Sequence, residues 1–202
     1  MNNVLILNAH KHYPFAEGKL TQSLIDRMVA RLQQVDRTIK VVNVEQGYDV
    51  EEQLSLHKWA DLVIIQSPVN WMGVPWVFKK YMDEVYTAGM GGDLCNGDGR
   101  TEDQPKAGYG TGGTLQGKKY MLSLTFNAPA EAFNNEAEWF FQGRSVDDLF
   151  YPQHMNFRFF GMEPLPTFVC YDVMKNPDIE NDFQRLTDHL SAHVLSTQIE
   201  EA

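Results

Sequence analysis

The sequence predicts a doubly wound α/β domain whose parallel sheet runs in the strand order 2-1-3-4-5. Three observations carry that expectation. Five short apolar runs recur along the chain, and segments of helical periodicity separate them. Val4–Leu7 and Leu62–Ile65 are apolar at consecutive positions, as strands buried on both faces of a parallel sheet are. Strands alternating with helices place helices on both sides of the sheet. The 202 residues show no internal repeat and no Pro- or Ser-rich linker, so one domain over 1–202 is expected, long enough to bury a real core.

Val4-Leu5-Ile6-Leu7 is the first strand. A loop from Asn8 to Gly18 follows. Leu20, Leu24, Met28 and Leu32 then recur at helical spacing, with Ile25 and Val29 widening the stripe. Thr38–Val42 reads as the second strand, Glu51–Ala60 as a helix and Leu62–Ile65 as the third strand. Pro75 opens a helix carrying Val77, Tyr81, Met82 and Val85. From Thr87 to Gln116 the chain is rich in Gly, Asp and Thr and has no period, the mark of a long working loop. Tyr120–Leu124 is the fourth strand. Glu131–Phe141 and Val146–Phe160 read as helices and Leu165–Val169 as the fifth strand. Phe183, Leu186, Leu190 and Val194 mark the last helix.

The net charge of −10, from 27 acidic and 17 basic side chains, argues against nucleic acid or an acidic membrane surface as the main partner. An anionic cofactor remains compatible, because loop N–H groups and helix N-termini bind phosphate locally. Cys95 and Cys170 form no C-x-x-C pair, which suits a reducing compartment. The start of the chain shows no signal-peptide pattern, and no apolar run approaches a membrane span. A cytoplasmic protein is the expectation.

In sheets of this order ligands sit beyond the C-terminal strand ends at the switch point. That selects three loops: Asn8–Gly18, Gln66–Trp76 and Thr125–Pro129. The first leads into a helix, so its N–H groups and the positive helix end can face a phosphate, with His10, Lys11 or His12 adding charge. An ordinary strand-to-helix connection is the equal alternative, since no tight glycine fingerprint is present. The H-x-H pair of His10 and His12 lacks further ligands at metal spacing, and no metal is expected. The second loop, Pro68-Val69-Asn70-Trp71-Met72-Gly73-Val74-Pro75-Trp76, is more informative. Gly73 lets backbone approach a ligand, two prolines stiffen the segment, and Trp71, Met72 and Trp76 offer flat or polarizable surface. An isoalloxazine needs such a platform plus N–H donors along its polar edge. Trp76 opens the next helix and reads as core; Trp71 reads as platform. Thr125-Phe126-Asn127-Ala128-Pro129 adds an aromatic, an amide and backbone donors at the same edge, although a plain turn explains that segment alone.

Gly112–Lys119 nearly matches a phosphate-binding P-loop, but Lys119 stands where Ser or Thr should hold magnesium. The segment also leads into a strand instead of a helix. Its glycines instead shape a loop carrying Tyr109, a ring that either meets a ligand or faces solvent. No G-x-S-x-G is present, and Asp98, Asp103, Asp147 and Asp148 read as solvated loop or helix-end charges.

Beyond these local readings, VLILNAHK, FAEGKL, WAD, P-x-x-WMGVPW, KKYMDEV, DGRT, YG-x-GG, QGKKYMLSLT-x-NAP and GMEPLPTF follow one another in order over nearly the whole chain. In this the sequence resembles the quinone reductases with a flavodoxin-like fold, specifically the modulator of drug activity B family. The resemblance implies NAD(P)H:quinone oxidoreduction on bound FAD in a homodimer with the flavin near the subunit interface; a two-electron, ping-pong hydride transfer with both substrates using one pocket in turn is the expectation built on it. FMN is the alternative flavin. Carried over by position, Ala16, Glu17, Gly18, Lys19, Leu20, Thr21, Gln22 and Ser23 would hold the FAD phosphates. Val69, Asn70, Trp71 and Met72 would border the isoalloxazine, Thr125, Phe126, Asn127 and Ala128 would contact it from the next loop, and Tyr109 would add a contact. Trp139-Phe140-Phe141 would supply apolar dimer contact or core. The wider group carries a T-T-G-G stretch followed by Tyr and His; this chain has TFNAP there, so no catalytic acid or base is assigned. Two rivals stand beside this reading. One is a one-electron flavodoxin-type carrier, which usually has a Thr/Ser-Gly-rich first loop. The other is a non-catalytic interaction protein that keeps the fold without flavin.

Overall fold

The computed structural model describes residues 1–195; the end of the predicted domain, 196–202, lies outside them. The chain alternates β1 (Asn3–Asn8), α1 (Lys19–Gln33), β2 (Thr38–Asn43), α2 (Val50–Trp59), β3 (Leu62–Pro68), α3 (Trp76–Tyr81), β4 (Lys119–Thr125), α4 (Val146–Leu149), α5 (Tyr151–Phe159), β5 (Glu163–Pro164), β6 (Phe168–Cys170) and α6 (Ile179–Leu190). A π turn, Met82–Tyr86, prolongs α3. The strands are parallel in the order β2-β1-β3-β4, with β5 and β6 both against β4.

Alternation along the central strands builds two cores. Leu5, Leu7, Val63, Ile65, Leu122 and Leu124 face one cluster with Leu54, Phe78 and Phe157 from the helices on that side. Val4, Ile6, Leu62, Ile64 and Met121 face the other, where α1 gives Leu24, Ile25, Met28 and Leu32 and α6 gives Leu186 and Leu190. A one-residue slip of any central strand would exchange its two sets of side chains. Each fully buried aliphatic side chain contributes roughly 1.5–3 kcal/mol, so the register is strongly held.

Three differences from the sequence expectation have local causes. The predicted fifth strand is split. Glu163–Pro164 pairs with Lys119–Tyr120 and Phe168–Cys170 with Ser123–Thr125. Pro164 and Pro166 cannot donate to a ladder, and the segment between the two pieces bows out. Residues 131–141 are not helical beyond a short 3-10 turn, Ala130–Ala132. Asn134 takes a left-handed backbone, φ 54°, and the Asn135 side chain bonds the Glu131 carbonyl and the Ala137 N–H, competing with a helix ladder. The predicted helix 146–160 breaks at Phe150 (φ −93°, ψ 15°), where Pro152 starts the second piece; Ser145 and Asp148 close a capping box on the first.

His57 on α2 is fully buried. The Tyr81 hydroxyl donates to Gln53 Oε1 (3.2 Å), so His57 Nε2–H donates to the Tyr81 oxygen (3.1 Å) and Nδ1 is left without a partner. Burial pushes its pKa down from 6.5 to about 4. The unfolded histidine therefore takes up its proton first, and stability falls as pH drops from about 6.5 towards 4, by on the order of 3 kcal/mol over the window. Melting curves across that range should show the loss, and H57Q should flatten it. An unchanged pH slope in H57Q would contradict this origin.

Candidate flavin site at the sheet switch point

The C-terminal ends of β1, β3 and β4 stand side by side, with Asn8 opposite Gln66 and Gln66 opposite Ser123. After β1 the chain turns sharply, Tyr13 and Ala16 exchanging backbone hydrogen bonds. The His10 ring is buried beneath this turn. The His10 backbone N–H donates to Asn8 Oδ1, and the ring Nε2 bonds the Ala16 carbonyl at 3.0 Å. Burial lowers its pKa, so it adds no charge at neutral pH. Lys11 is paired with Glu45, which also accepts the His12 N–H. The Lys11 charge that this loop's composition offered is thus spent on Glu45, in the turn that follows β2.

What the loop offers instead is the start of α1. Gly18 caps the helix in a left-handed conformation, φ 84°; no side chain bonds the first turn and none of its residues is acidic. The first helical N–H with an intrahelical partner is that of Gln22, to the Gly18 carbonyl. The N–H groups of Gly18, Lys19, Leu20 and Thr21 are the orphan donors that a helix N-terminus presents to an anion. Glu17 pairs with Lys19 at 2.6 Å, which offsets its charge beside the loop. Thr21 is buried, Gln22 bonds Asp26, and Ser23 is half-buried.

The loop after β3 folds into a tight turn. Asn70 and Gly73 exchange backbone hydrogen bonds (2.9 and 3.1 Å), leaving Trp71 and Met72 at the tip, both left-handed with φ 50° and 65°. Such a turn favours Asn and Gly; two large side chains there cost roughly 1–2 kcal/mol each. Trp71 is 98% exposed, so packing does not compensate that strain. Val69 is tied to β4 through its N–H to the Thr125 carbonyl, 3.0 Å. Val69, Trp71 and Met72 face Phe126, Asn127 and Ala128 across a cleft of about 260 Å³, closed at one side by Phe140 and Phe141. That volume suits one flat ring system and not a whole dinucleotide. Phe126 and Ala128 are fixed from behind by backbone bonds to Cys170, Asp172 and Val173. The N–H groups of Asn127 and Ala128 donate to nothing among the described residues.

The structure therefore brings the second and third predicted segments together, with Thr125 at the base, and sets Ala16–Ser23 at the neighbouring strand end. It does not bring Tyr109 to them. That ring is 72% exposed, edge-on to Phe159 at 5.8 Å, and lines a separate groove with Tyr86 and Met90. Trp76, expected in the core, is 59% exposed at the start of α3. Phe140 and Phe141 were not read as cleft walls; three consecutive aromatics in a segment that is not a helix are the only signal. Phe141 stacks on Phe133 at 4.3 Å. The near-P-loop is accounted for sterically: a Cβ on Gly113 would lie 2.2 Å from the Phe160 carbonyl carbon.

Comparison with known proteins agrees with this fold. A family model described as flavodoxin-like fold matches residues 2–194. The chain is 44% identical over 192 residues to NADPH:quinone oxidoreductase MdaB of Haemophilus influenzae, covering 95% of this chain and 97% of the relative. It is 40% identical over 188 residues to an uncharacterized protein of Schizosaccharomyces pombe, covering 93% and 95%. Among solved structures, the general stress protein 14 of Treponema denticola in complex with FMN superposes with a TM-score of 0.64 at 18% identity, over 95% of this chain and 97% of that one.

Proposed function

We propose, from the premise that this chain belongs to the flavodoxin-like fold family, that it is an NAD(P)H:quinone oxidoreductase working on bound FAD. One observation carries the reading from fold to site: Trp71 is held fully outward, in a strained turn, over a cleft with unused N–H donors at Asn127 and Ala128. Strain kept without packing compensation is characteristic of a functional position. The relative that shares 44% of its residues carries the same activity in its name.

The residues fit the cofactor. The open N-terminus of α1, at Gly18–Thr21, supplies hydrogen-bond donors and the positive helix end for a diphosphate. Trp71 and Met72 give a platform for a flat ring. The Asn127 and Ala128 N–H groups suit an edge on which negative charge develops, where fixed donors cost no reorganisation. Bound flavin would supply the redox chemistry, accepting two electrons from NAD(P)H and returning them to a quinone. The protein orients the rings and holds the donors in place.

The reading includes a homodimer and a cytoplasmic setting. Tyr109 lies in a groove separate from the cleft, so it can serve a flavin only across a subunit boundary. Exposed Trp139 and Phe140 offer apolar surface for such a contact. Cys95 and Cys170 are both free thiols, and no described helix is long and apolar enough to cross a membrane. Initial rates with a soluble quinone should give parallel double-reciprocal lines, the mark of two substrates using one cleft in turn. Light scattering should give twice the 23.1 kDa chain mass. Intersecting lines would contradict the shared cleft, and a monomer with full activity would contradict the dimer.

A further inference from the structure

Five residues before Thr125, at the opposite end of β4, a second groove opens at the sheet edge. At about 3.3 Å per residue Tyr120 stands roughly 16 Å along the strand from Thr125; the groove and the flavin cleft share no lining residue, and a depression walled by Phe140, Phe141, Asp148 and Tyr151 lies between them. It encloses about 370 Å³ between α4, α5 and the break separating β5 from β6.

Its floor is a closed hydrogen-bond chain. Tyr120 Oη lies 2.8 Å from His154 Nδ1, and His154 Nε2 lies 3.2 Å from Asp147 Oδ1. Thr167 donates to the same Oδ1 at 2.6 Å. Hydrogen bonds from His154 and Thr167 hold the Asp147 carboxyl below its ordinary pKa, so it is ionised and only accepts. Nε2 must then carry the imidazole proton, and Nδ1 accepts from the Tyr120 hydroxyl. The floor is satisfied and rigid.

Two charges at its rim stay open to solvent, with the Asp147 side chain 59% exposed and Arg158 exposed. Both contacts of Asp147 fall on Oδ1, and Oδ2 makes no hydrogen bond among the described residues. Arg158 lines the same groove, yet its guanidinium makes no hydrogen bond or ion pair among them. The two opposite charges share one groove without pairing. Between them the wall is apolar and stiff, made by Pro164, Leu165, Pro166 and the half-exposed ring of Tyr151.

We propose that this groove is a second small-molecule site, for an aromatic hydroxy acid. The carboxylate would lie against Arg158 in the two-pronged geometry that guanidinium favours. The ring would rest on Tyr151 and the prolines, and the ring hydroxyl would donate to Asp147 Oδ2. A ligand with both polar ends replaces water at both charges and one with a single end at only one, which sets the specificity.

Titration calorimetry of the flavin-loaded protein with 4-hydroxybenzoate tests this. Saturable binding at one site per chain is expected, with a dissociation constant below about 1 mM. R158Q, at an exposed side chain with no hydrogen bond or ion pair among the described residues, should bind at least about tenfold more weakly while its quinone turnover stays unchanged. Benzoate, lacking the hydroxyl, should lose about tenfold, the worth of one hydrogen bond. D147N should lose the preference for the hydroxylated ligand. No saturable binding up to about 10 mM, or binding that R158Q leaves intact, would overturn the proposal.

Discussion

Replacing Gly18 with alanine is expected to weaken flavin binding and stability together, more than any other single methyl added at the site. Two costs coincide there. The backbone φ of 84° is left-handed, and an L side chain in that region pays roughly 1–2 kcal/mol. The new Cβ would also stand 2.7 Å from His10 Cδ2 and 2.8 Å from its Nε2. That ring cannot swing aside freely, because it is buried and bonded to the Ala16 carbonyl. Relief must come from the loop, at a further cost of about 1–3 kcal/mol. For a chain of this size each kcal/mol moves the melting temperature by roughly 2–4 °C, so a fall of about 5–15 °C is expected for the apoprotein. The displaced N–H groups are those assigned to the diphosphate, and the flavin dissociation constant should rise at least about tenfold. H10A in the G18A background should recover part of both losses. A G18A protein with normal flavin affinity would remove Ala16–Ser23 from the phosphate site.

Trp71 should behave in the opposite way. Its side chain is exposed, so W71A should leave the melting temperature nearly unchanged while removing a stacking surface worth about 0.5–1.5 kcal/mol. That converts to roughly a two- to tenfold loss in kcat/KM or in flavin affinity. Glycine separates platform from scaffold more sharply, because it also relieves the left-handed strain. W71G should melt higher, by the equivalent of about 1 kcal/mol, and still turn over more slowly. Gain of stability with loss of activity is the signature of a residue kept for function. A W71G variant with full turnover would show that the ring does not border the cofactor.

The contrast between these two positions shows what a sequence discloses. Continuous apolar runs such as Leu62–Ile65 and helical stripes such as Leu24-Met28-Leu32 report burial directly, and burial fixed the strand order and the loops at its switch point. Gly18 was legible only as the end of a loop. Its role depends on His10 lying beneath it, a contact made by folding. The turn at Trp71 is hidden in the sequence because its two left-handed positions hold Trp71 and Met72, while the Asn and Gly that favour such positions flank them as Asn70 and Gly73. Asn134 and Asn135 broke an apparent helix through side-chain bonds that periodicity does not register. Trp76 was misplaced because its helical position was legible and its face was not. For Tyr109 the glycine loop left ligand contact and solvent exposure equally open and the resemblance added a flavin contact; within one chain the ring is exposed and lines a separate groove.

The central claim is that this switch point holds FAD. Its most direct test is the absorption spectrum of the purified, FAD-supplemented protein, followed by mass analysis of the cofactor released on denaturation. A yellow protein that releases one FAD per chain is expected. A colourless protein that takes up no flavin, or one that releases FMN alone, would contradict it.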